Sequence, residues 1–325
     1  MFFKNFKNKL WMILLLSLII IPTSTYAYSN EVILGGENIG IEVKSDGVLV
    51  VGFYDVNGSS PGRKAGLKIG DFIQKVDDTA IQGIADLSKK FSNKSSLKIT
   101  YKRGTEVKTT TLNLVESDNV YKTGIYVKDS IVGIGTLTFI DPETNRFGAL
   151  GHEILEQNTG VRFEIKDGKI FKSDVTSIEK ADRGKVGEKN ATYDQSTIFG
   201  TIDKNDETGI YGDYNGNIST ANLISVSNDI KTGEAYIQTV INGDKKQLFK
   251  INILNVDSTH STKNILFEVT DELLLKTGNG IVQGMSGSPI IQDDKLVGAV
   301  THVVVDDPHK GYGILITNML EESES

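Results

Sequence analysis

The chain has 325 residues, of which 35 are basic and 42 acidic, so its formal net charge at pH 7 is −7. An acidic chain argues against nucleic acid as the main partner, because phosphate binding needs cationic side chains. No cysteine is present, which excludes disulfide scaffolds, thiolate zinc sites and cysteine nucleophiles. The 33 glycines and 5 prolines are typical of a turn-rich β protein. A mechanism that needs an imidazole has four histidines available: His152, His260, His302 and His309.

Residues 1–28 are predicted to be a signal peptide or a short membrane anchor. Basic residues precede an apolar run, Leu10–Ile21, and a small-residue cleavage site ends at Ala27. As a helix the apolar run would rise about 18 Å, against roughly 30 Å of hydrocarbon. We therefore expect export across the cytoplasmic membrane, with an uncleaved anchor over residues 10–28 as the alternative.

Residues 30–116 are predicted to form a small domain with a mostly β fold. Gly47–Phe53 is apolar enough to be a strand buried on both faces. Asp86–Phe91 has the pattern of a short amphipathic helix, and Leu97–Tyr101 and Lys108–Leu114 read as paired strands.

The segment Ala65–Ile73, with the pattern A-G-L-x-x-G-D-x-I, and the following V-D-D-x-x-I make this region resemble a bacterial PDZ domain. PDZ domains take an extended peptide as an added strand and hold its carboxylate with backbone N–H groups. The resemblance implies such a groove along the apolar strand, with a plain core strand as the alternative. The residues that would form it are Gly47, Val48, Leu49 and Val50.

The rest of the chain is predicted to be strands separated by turns, which indicates a barrel or a sandwich pair. Helical patterns are confined to Asp271–Thr277 and the C-terminal tail. The main predictions are a strand at Ile131–Ile140, hairpin turns at Asp167-Gly168 and Asn242-Gly243, a loop at Thr208–Asn217, and a final long strand at Leu296–Val305.

The sharpest chemical motif is Gly284–Pro289, G-M-S-G-S-P. A tight glycine turn can expose the Ser286 hydroxyl and direct the amides of Gly284 and Ser286 at a developing oxyanion. A serine hydroxyl needs a base to take its proton, and His152, which follows a run of small residues, is the suitable imidazole. An ordinary glycine-serine turn and a surface histidine are the alternatives. A zinc site is a poor fit, since Glu156 stands where a second histidine would be needed.

The order histidine, acid, serine, with G-x-S-G-x-P around Ser286, resembles the chymotrypsin-like serine proteases. Three further segments narrow the resemblance to one family: A-L-G-H-E at Ala149–Glu153, G-I-V-Q-G-M-S-G-S-P at Gly280–Pro289 and G-A-V-T-H-V at Gly298–Val303. Together with the leader and the PDZ region, these segments resemble the SpoIVB sporulation peptidases. The resemblance implies a chymotrypsin-like double β-barrel peptidase domain over residues 120–325.

The resemblance assigns the acid of the triad to Asp271, with Asp257 as the fallback. Asp271 also stands where the first turn of a helix favours an acidic side chain, so a structural role is the alternative. His302 is a candidate for lining the pocket that receives the substrate residue before the cut, or else a core histidine.

The leading hypothesis is a secreted serine endopeptidase in which Ser286 attacks, His152 transfers the proton and Asp271 orients the imidazole, with no metal or organic cofactor. The resemblance implies that it acts between the forespore and mother-cell membranes, cleaving a regulatory membrane protein during spore formation and also itself. The expected partners are that protein substrate and a peptide or C-terminal tail bound by the PDZ domain, with no nucleic acid. The alternative is a non-catalytic PDZ scaffold with a degenerate protease-like domain.

Overall fold

The computed structural model describes residues 28–91, 94–216 and 222–325. The predicted leader lies outside these ranges except for its last residue, Tyr28. Within the described ranges, no helix combines the length and the apolar character needed to span a bilayer.

The described residues form 21 strands and four helices. The strands are β1 (Glu31–Leu34), β2 (Asn38–Phe53), β3 (Phe72–Val76), β4 (Thr79–Ala80), β5 (Ser96–Arg103), β6 (Glu106–Asn113), β7 (Val115–Ser117), β8 (Val120–Lys122), β9 (Ile125–Ile140), β10 (Arg146–Ala149), β11 (Asp167–Glu179), β12 (Gly187–Asp206), β13 (Gly209–Tyr214), β14 (Leu223–Ser225), β15 (Gly233–Val240), β16 (Lys246–Val256), β17 (Ile265–Val269), β18 (Val282–Gln283), β19 (Pro289–Gln292), β20 (Lys295–Val303) and β21 (Lys310–Leu315). The helices are α1 (Pro61–Lys64), α2 (Ile84–Phe91), α3 (Glu272–Gly278) and α4 (Ile316–Ser323).

Two closed barrels organise most of the chain. The first runs in the order β2–β11–β12–β13–β10–β9 and closes through the pairing of β2 with β9, and the second runs β15–β16–β17–β21–β20–β19. Successive side chains of a strand point to opposite faces, and the inward-pointing ones fill each barrel. In β16, Phe249, Ile251 and Ile253 are buried while the residues between them are more exposed. The predicted mainly β architecture with a double barrel is confirmed.

The predicted PDZ region forms a sheet of β3, β5, β6 and the second half of β2. Leu87 of α2 packs in its core with Val48 and Ile73. The buried carboxylate of Asp71 accepts the Lys68 amide at 2.7 Å and both Nε and Nη2 of Arg103, at 2.6 and 2.7 Å. Those bonds explain the aspartate in the G-D turn, because a buried carboxylate requires such partners.

Strands β2 and β9 are each shared by the PDZ sheet and the first barrel. Residues 38–44 of β2 pair with residues 130–136 of β9 and with β11, inside the barrel. Residues 49–53 of β2 pair with residues 125–128 of β9, and Val48 and Leu49 pair with β3. The two units are therefore joined by two continuous strands rather than by a flexible linker.

The predicted peptide groove at Gly47, Val48, Leu49 and Val50 does not match this arrangement. Leu49 lies between Phe72 of β3 and Lys128 of β9, so both edges of the strand are already occupied. A peptide has no free edge to join there. Of the two readings of this segment, the structure agrees with the core strand.

Three predictions of local structure are wrong. Asp167-Gly168 is the start of β11, paired with Lys44 and Val43 of β2, and not a hairpin turn. Most of the predicted loop Thr208–Asn217 is strand β13, which both β10 and β12 hold by pairing. The strand predicted as the last one, β20, is followed by β21. In the first two cases pairing with a distant strand overrode local turn propensity. In the third, β21 forms a hairpin with β20 and also pairs with β17.

Candidate active site

The glycine-serine turn lies between the two barrels and is tied to both. Its carbonyl at Ser286 accepts the Thr136 amide of β9 at 2.9 Å, and the Thr136 hydroxyl donates to the Gly284 carbonyl at 2.8 Å. On the other side, the Gly287 amide donates to the Val300 carbonyl of β20 at 2.7 Å. The turn is thus a hydrogen-bonded bridge between the first barrel and the second.

Gly287 is the residue that makes this bridge possible. Its φ is +91°, and a Cβ there would lie 2.1 Å from the Thr136 carbonyl oxygen and 2.5 Å from the Leu150 amide nitrogen. Both groups are backbone and cannot swing away, so only glycine fits. The close contact with Leu150 also brings the turn near the segment that carries His152.

Ser286 and His152 both contact the same stretch of β20. The Ser286 hydroxyl donates to the Thr301 carbonyl at 2.8 Å. The His152 ring lies 5.0 Å, between centroids, from the ring of His302, the next residue along. The structure therefore brings these two predicted residues to adjacent residues of one strand. In this conformation the hydroxyl is bonded to a carbonyl rather than to the imidazole.

The environment of His152 favours a neutral ring of one tautomer. Burial lowers the pKa of His152 below its ordinary value of about 6.5, because the apolar surroundings disfavour the charged form. Its Nδ1 lies 2.8 Å from the Glu153 carbonyl oxygen. Since a carbonyl can only accept, Nδ1 carries the proton and Nε2 is left as the basic nitrogen.

His302 also stays neutral at pH 7. Its pKa is lowered to about 4, chiefly by desolvation of the ring and then by the electrostatic effects of His152 and Lys263. The residue as a whole remains exposed, so the desolvation is local to the ring that lies against His152. A neutral, partly open ring at this point fits the predicted place beside the substrate, a role that stays a prediction.

Asp271 has a different set of contacts. It is the N-cap of α3: Oδ1 accepts the amides of Leu273 and Leu274 at 3.0 Å each, and Oδ2 accepts the Lys250 amide at 3.4 Å. Within the described ranges no imidazole contacts its carboxylate. The fallback acid, Asp257, lies 3.5 Å from His260 rather than beside His152. The structure thus places the predicted serine and histidine against adjacent residues of β20, and the predicted acid at the N-terminus of α3.

One backbone donor of the turn stands apart from its neighbours. The amides of Met285, Gly287 and Ser288 all donate to carbonyl oxygens. The Ser286 amide has no such acceptor among the residues that the structure describes. An uncommitted N–H beside the Ser286 hydroxyl is the feature that an oxyanion site requires.

Sequence reasoning missed a buried lysine beneath this turn. Lys189 of β12 is 1% exposed, and its Nζ donates to the Thr239 hydroxyl at 2.9 Å. A Cβ on Gly284 would lie 3.1 Å from its Cδ. Burial lowers the pKa of Lys189 to about 7. No local sequence pattern predicts the burial of Lys189 or the contacts of Thr136 and Thr301 with the turn. All three depend on which strands pack together in the folded chain.

We expect Lys189→Met to flatten the pH dependence of stability. With a folded pKa of about 7 and an ordinary value of 10.5, the unfolded chain binds more protons between these values. The free energy of unfolding of the wild type should therefore rise with pH in that window, by roughly 1.4 kcal/mol per unit at its steepest. Urea unfolding at pH 7, 8 and 9 measures this slope. Lys185→Met, at an exposed lysine paired with Glu179, should keep it, and equal slopes in wild type and Lys189→Met would contradict the prediction.

Comparisons with known proteins agree with the sequence motifs. Residues 119–320 match the family model described as SpoIVB peptidase S55, and residues 38–114 match the PDZ domain model. No curated protein matches. Among solved structures, the PDZ domain of an SdrC-like protein from Listeria monocytogenes is 24% identical over 26% of this chain and 90% of its own, with a TM-score of 0.23. The Rv3671c protease in its inactive form is 12% identical over 59% of this chain and 85% of its own, with a TM-score of 0.33.

Proposed function

The chain belongs to the SpoIVB peptidase S55 family and is a serine endopeptidase, and within that activity we propose that Ser286 is the nucleophile and His152 the general base. The observation that carries this assignment is the meeting of both residues at Thr301 and His302, on one strand. No other histidine of the described chain approaches the turn from the first barrel.

The reaction begins with a rotation of the Ser286 side chain away from the Thr301 carbonyl towards His152. Nε2 then takes the hydroxyl proton as Oγ attacks the scissile carbonyl, and the amides of Ser286 and Gly284 stabilise the oxyanion. The imidazolium returns its proton to the leaving amine, and water hydrolyses the ester by the same steps in reverse. No metal or organic cofactor enters this sequence.

The group that orients the imidazole is the Glu153 carbonyl, which accepts the Nδ1 proton. Asp271, to which the family resemblance assigns that task, caps α3 in this conformation. Its catalytic role stays a prediction and would require the N-terminus of α3 to release the carboxylate.

The substrate class follows from the family and from the PDZ region. We propose a protein substrate at a membrane surface: a regulatory membrane protein cleaved during spore formation, with cleavage of the enzyme itself as a second reaction. We further propose that residues 1–28 direct export and that the enzyme works between the forespore and mother-cell membranes.

Labelling with a fluorophosphonate probe tests the assignment and separates it from a catalytically inert scaffold. We expect wild type to label and Ser286→Ala not to. Because burial lowers the pKa of His152, the base stays neutral and labelling stays fast to below pH 6.5, declining only in more acidic buffer. Absence of labelling under conditions where a control protease labels, or equal labelling of Ser286→Ala, would contradict the proposal.

A further inference from the structure

The open edge of β9 connects the PDZ sheet with the candidate nucleophile. One edge of this strand pairs with β2 over residues 125–136. The other edge pairs with β10 only from Leu137 onward, whereas β1 continues the β2 side of the strand. Over residues 125–134, that second edge has no strand partner among the described residues.

Hydrogen-bond alternation shows which backbone groups point out of this edge. The Leu137 amide donates to the Glu37 carbonyl on the β2 side, whereas the Thr136 amide donates to Ser286 on the opposite side. In an antiparallel ladder successive residues alternate, so Val132 and Ile134 point outward like Thr136. Val127 does as well, since its pairing partner Val50 donates to Asp71 on the far side of β2.

Between Ser130 and Gly135 the edge lacks the features that usually protect one, and its charged residues, Lys128 and Asp129, come before this stretch. Residues 130–135 read S-I-V-G-I-G, with neither charge nor proline, although charged residues and prolines are the common means of blocking strand addition. The Val132 side chain is 48% exposed, and a Cβ on Gly133 would meet nothing within 4 Å. An apolar, unblocked and open strand edge is a template for another strand.

The two ends of this edge are chemically different. At one end Asp129 accepts the Ile84 amide at 2.9 Å, which places the first turn of α2 beside the strand. A strand edge beside a helix is the arrangement in which PDZ domains hold a peptide. At the other end, the Ile134 Cδ1 is 3.0 Å from where a Gly284 Cβ would lie, and the next outward amide binds Ser286.

We infer that the C-terminal half of a protein substrate adds to this edge as an antiparallel strand, with its tail beside α2 and its scissile bond at Ser286. The inference rests on the proposed nucleophile. The leaving-group half belongs on this side because His152, which protonates the leaving amine, follows β10, the neighbour of β9. Helix α4 is not the occupant, since it buries Met319 and Leu320 in the core.

The length of the edge sets the distance between the substrate's C-terminus and the scissile bond. From Val127 to Ile134 the strand spans about 24 Å, at roughly 3.4 Å per residue. A tail seated beside α2 therefore places the cut about 8–11 residues before the substrate's C-terminus.

A proteome-derived peptide library with free C-termini tests this distance. The Ser286→Ala variant serves as the control without cleavage. We expect the cuts made by the wild type to cluster about 8–11 residues from the C-terminus. For one cleaved peptide, we expect extension by ten Gly/Ser residues at the C-terminus, or N-methylation at alternate leaving-side residues, to lower kcat/KM about tenfold. N-methylation at the intervening residues is the matched control.

Hydrogen exchange of Ser286→Ala with that peptide gives a readout that does not depend on turnover. We expect slowed exchange at the Val132 and Ile134 amides and little change at Gly133, which is already paired with Ile41. Cleavage with no relation to the C-terminus, or no protection of these two amides, overturns the inference alone. Failure of the proposed function appears separately, as the absence of fluorophosphonate labelling.

Discussion

Ser286→Ala is expected to lower kcat/KM for peptide hydrolysis by about 10⁴- to 10⁶-fold while leaving the fold intact. The substitution removes the hydroxyl oxygen, which forms the acyl ester. The single hydrogen bond of this hydroxyl, to the Thr301 carbonyl, contributes about 1 kcal/mol to stability. The measurement is the rate of peptide cleavage, with the free energy of unfolding taken on the same preparation.

Ser288→Ala is the matched control, two residues further along the same turn. Ser288 is fully buried, and its hydroxyl lies 3.4 Å from that of Thr136, where no substrate can reach it. We expect about 1 kcal/mol lost in stability and activity within about tenfold of the wild type. If Ser288→Ala abolished cleavage and Ser286→Ala kept it, the nucleophile would be misassigned.

Among the variants proposed here, Gly287→Ala is expected to lower the free energy of unfolding most, by roughly 3–5 kcal/mol. It should also abolish cleavage. The added methyl group would lie 2.1 Å from the Thr136 carbonyl oxygen, so the bridge between the barrels must open. Because Gly287 also donates to Val300, the turn would lose its attachment on both sides. Urea unfolding and peptide cleavage measure the two effects.

Gly58→Ala separates the steric effect from backbone strain. Gly58 has a φ of +82°, close to that of Gly287, but a Cβ there would meet nothing within 4 Å. Its replacement should cost only the left-handed strain, about 1–2 kcal/mol, and leave cleavage unchanged. Equal losses in the two variants would show that strain, and not the contact with Thr136, decides the role of Gly287.

The contrast between Ser286 and Asp271 shows where sequence reasoning about the site reached its limit. The serine turn is encoded locally, since Gly284–Pro289 contains both the proposed nucleophile and the glycine that the turn needs. The acid of a triad is defined only by its distance from the imidazole. Asp271 satisfies the spacing of the family and also the requirements of a helix cap, and the structure shows the second of these.

The sequence by itself indicated a mainly β barrel or sandwich architecture, the PDZ motif and the glycine-serine turn, because these depend on short patterns within about ten residues of one another. The resemblance carried by such patterns implied the family and the double barrel. Tertiary structure alone decided that β2 and β9 run through both units, that Asp167-Gly168 begins a strand, and that an open edge leads to Ser286. Strand pairing joins residues as distant as Thr136 and Ser286, whose contact is favoured only once both barrels have formed. The same long-range pairing decides which edge remains free for a substrate.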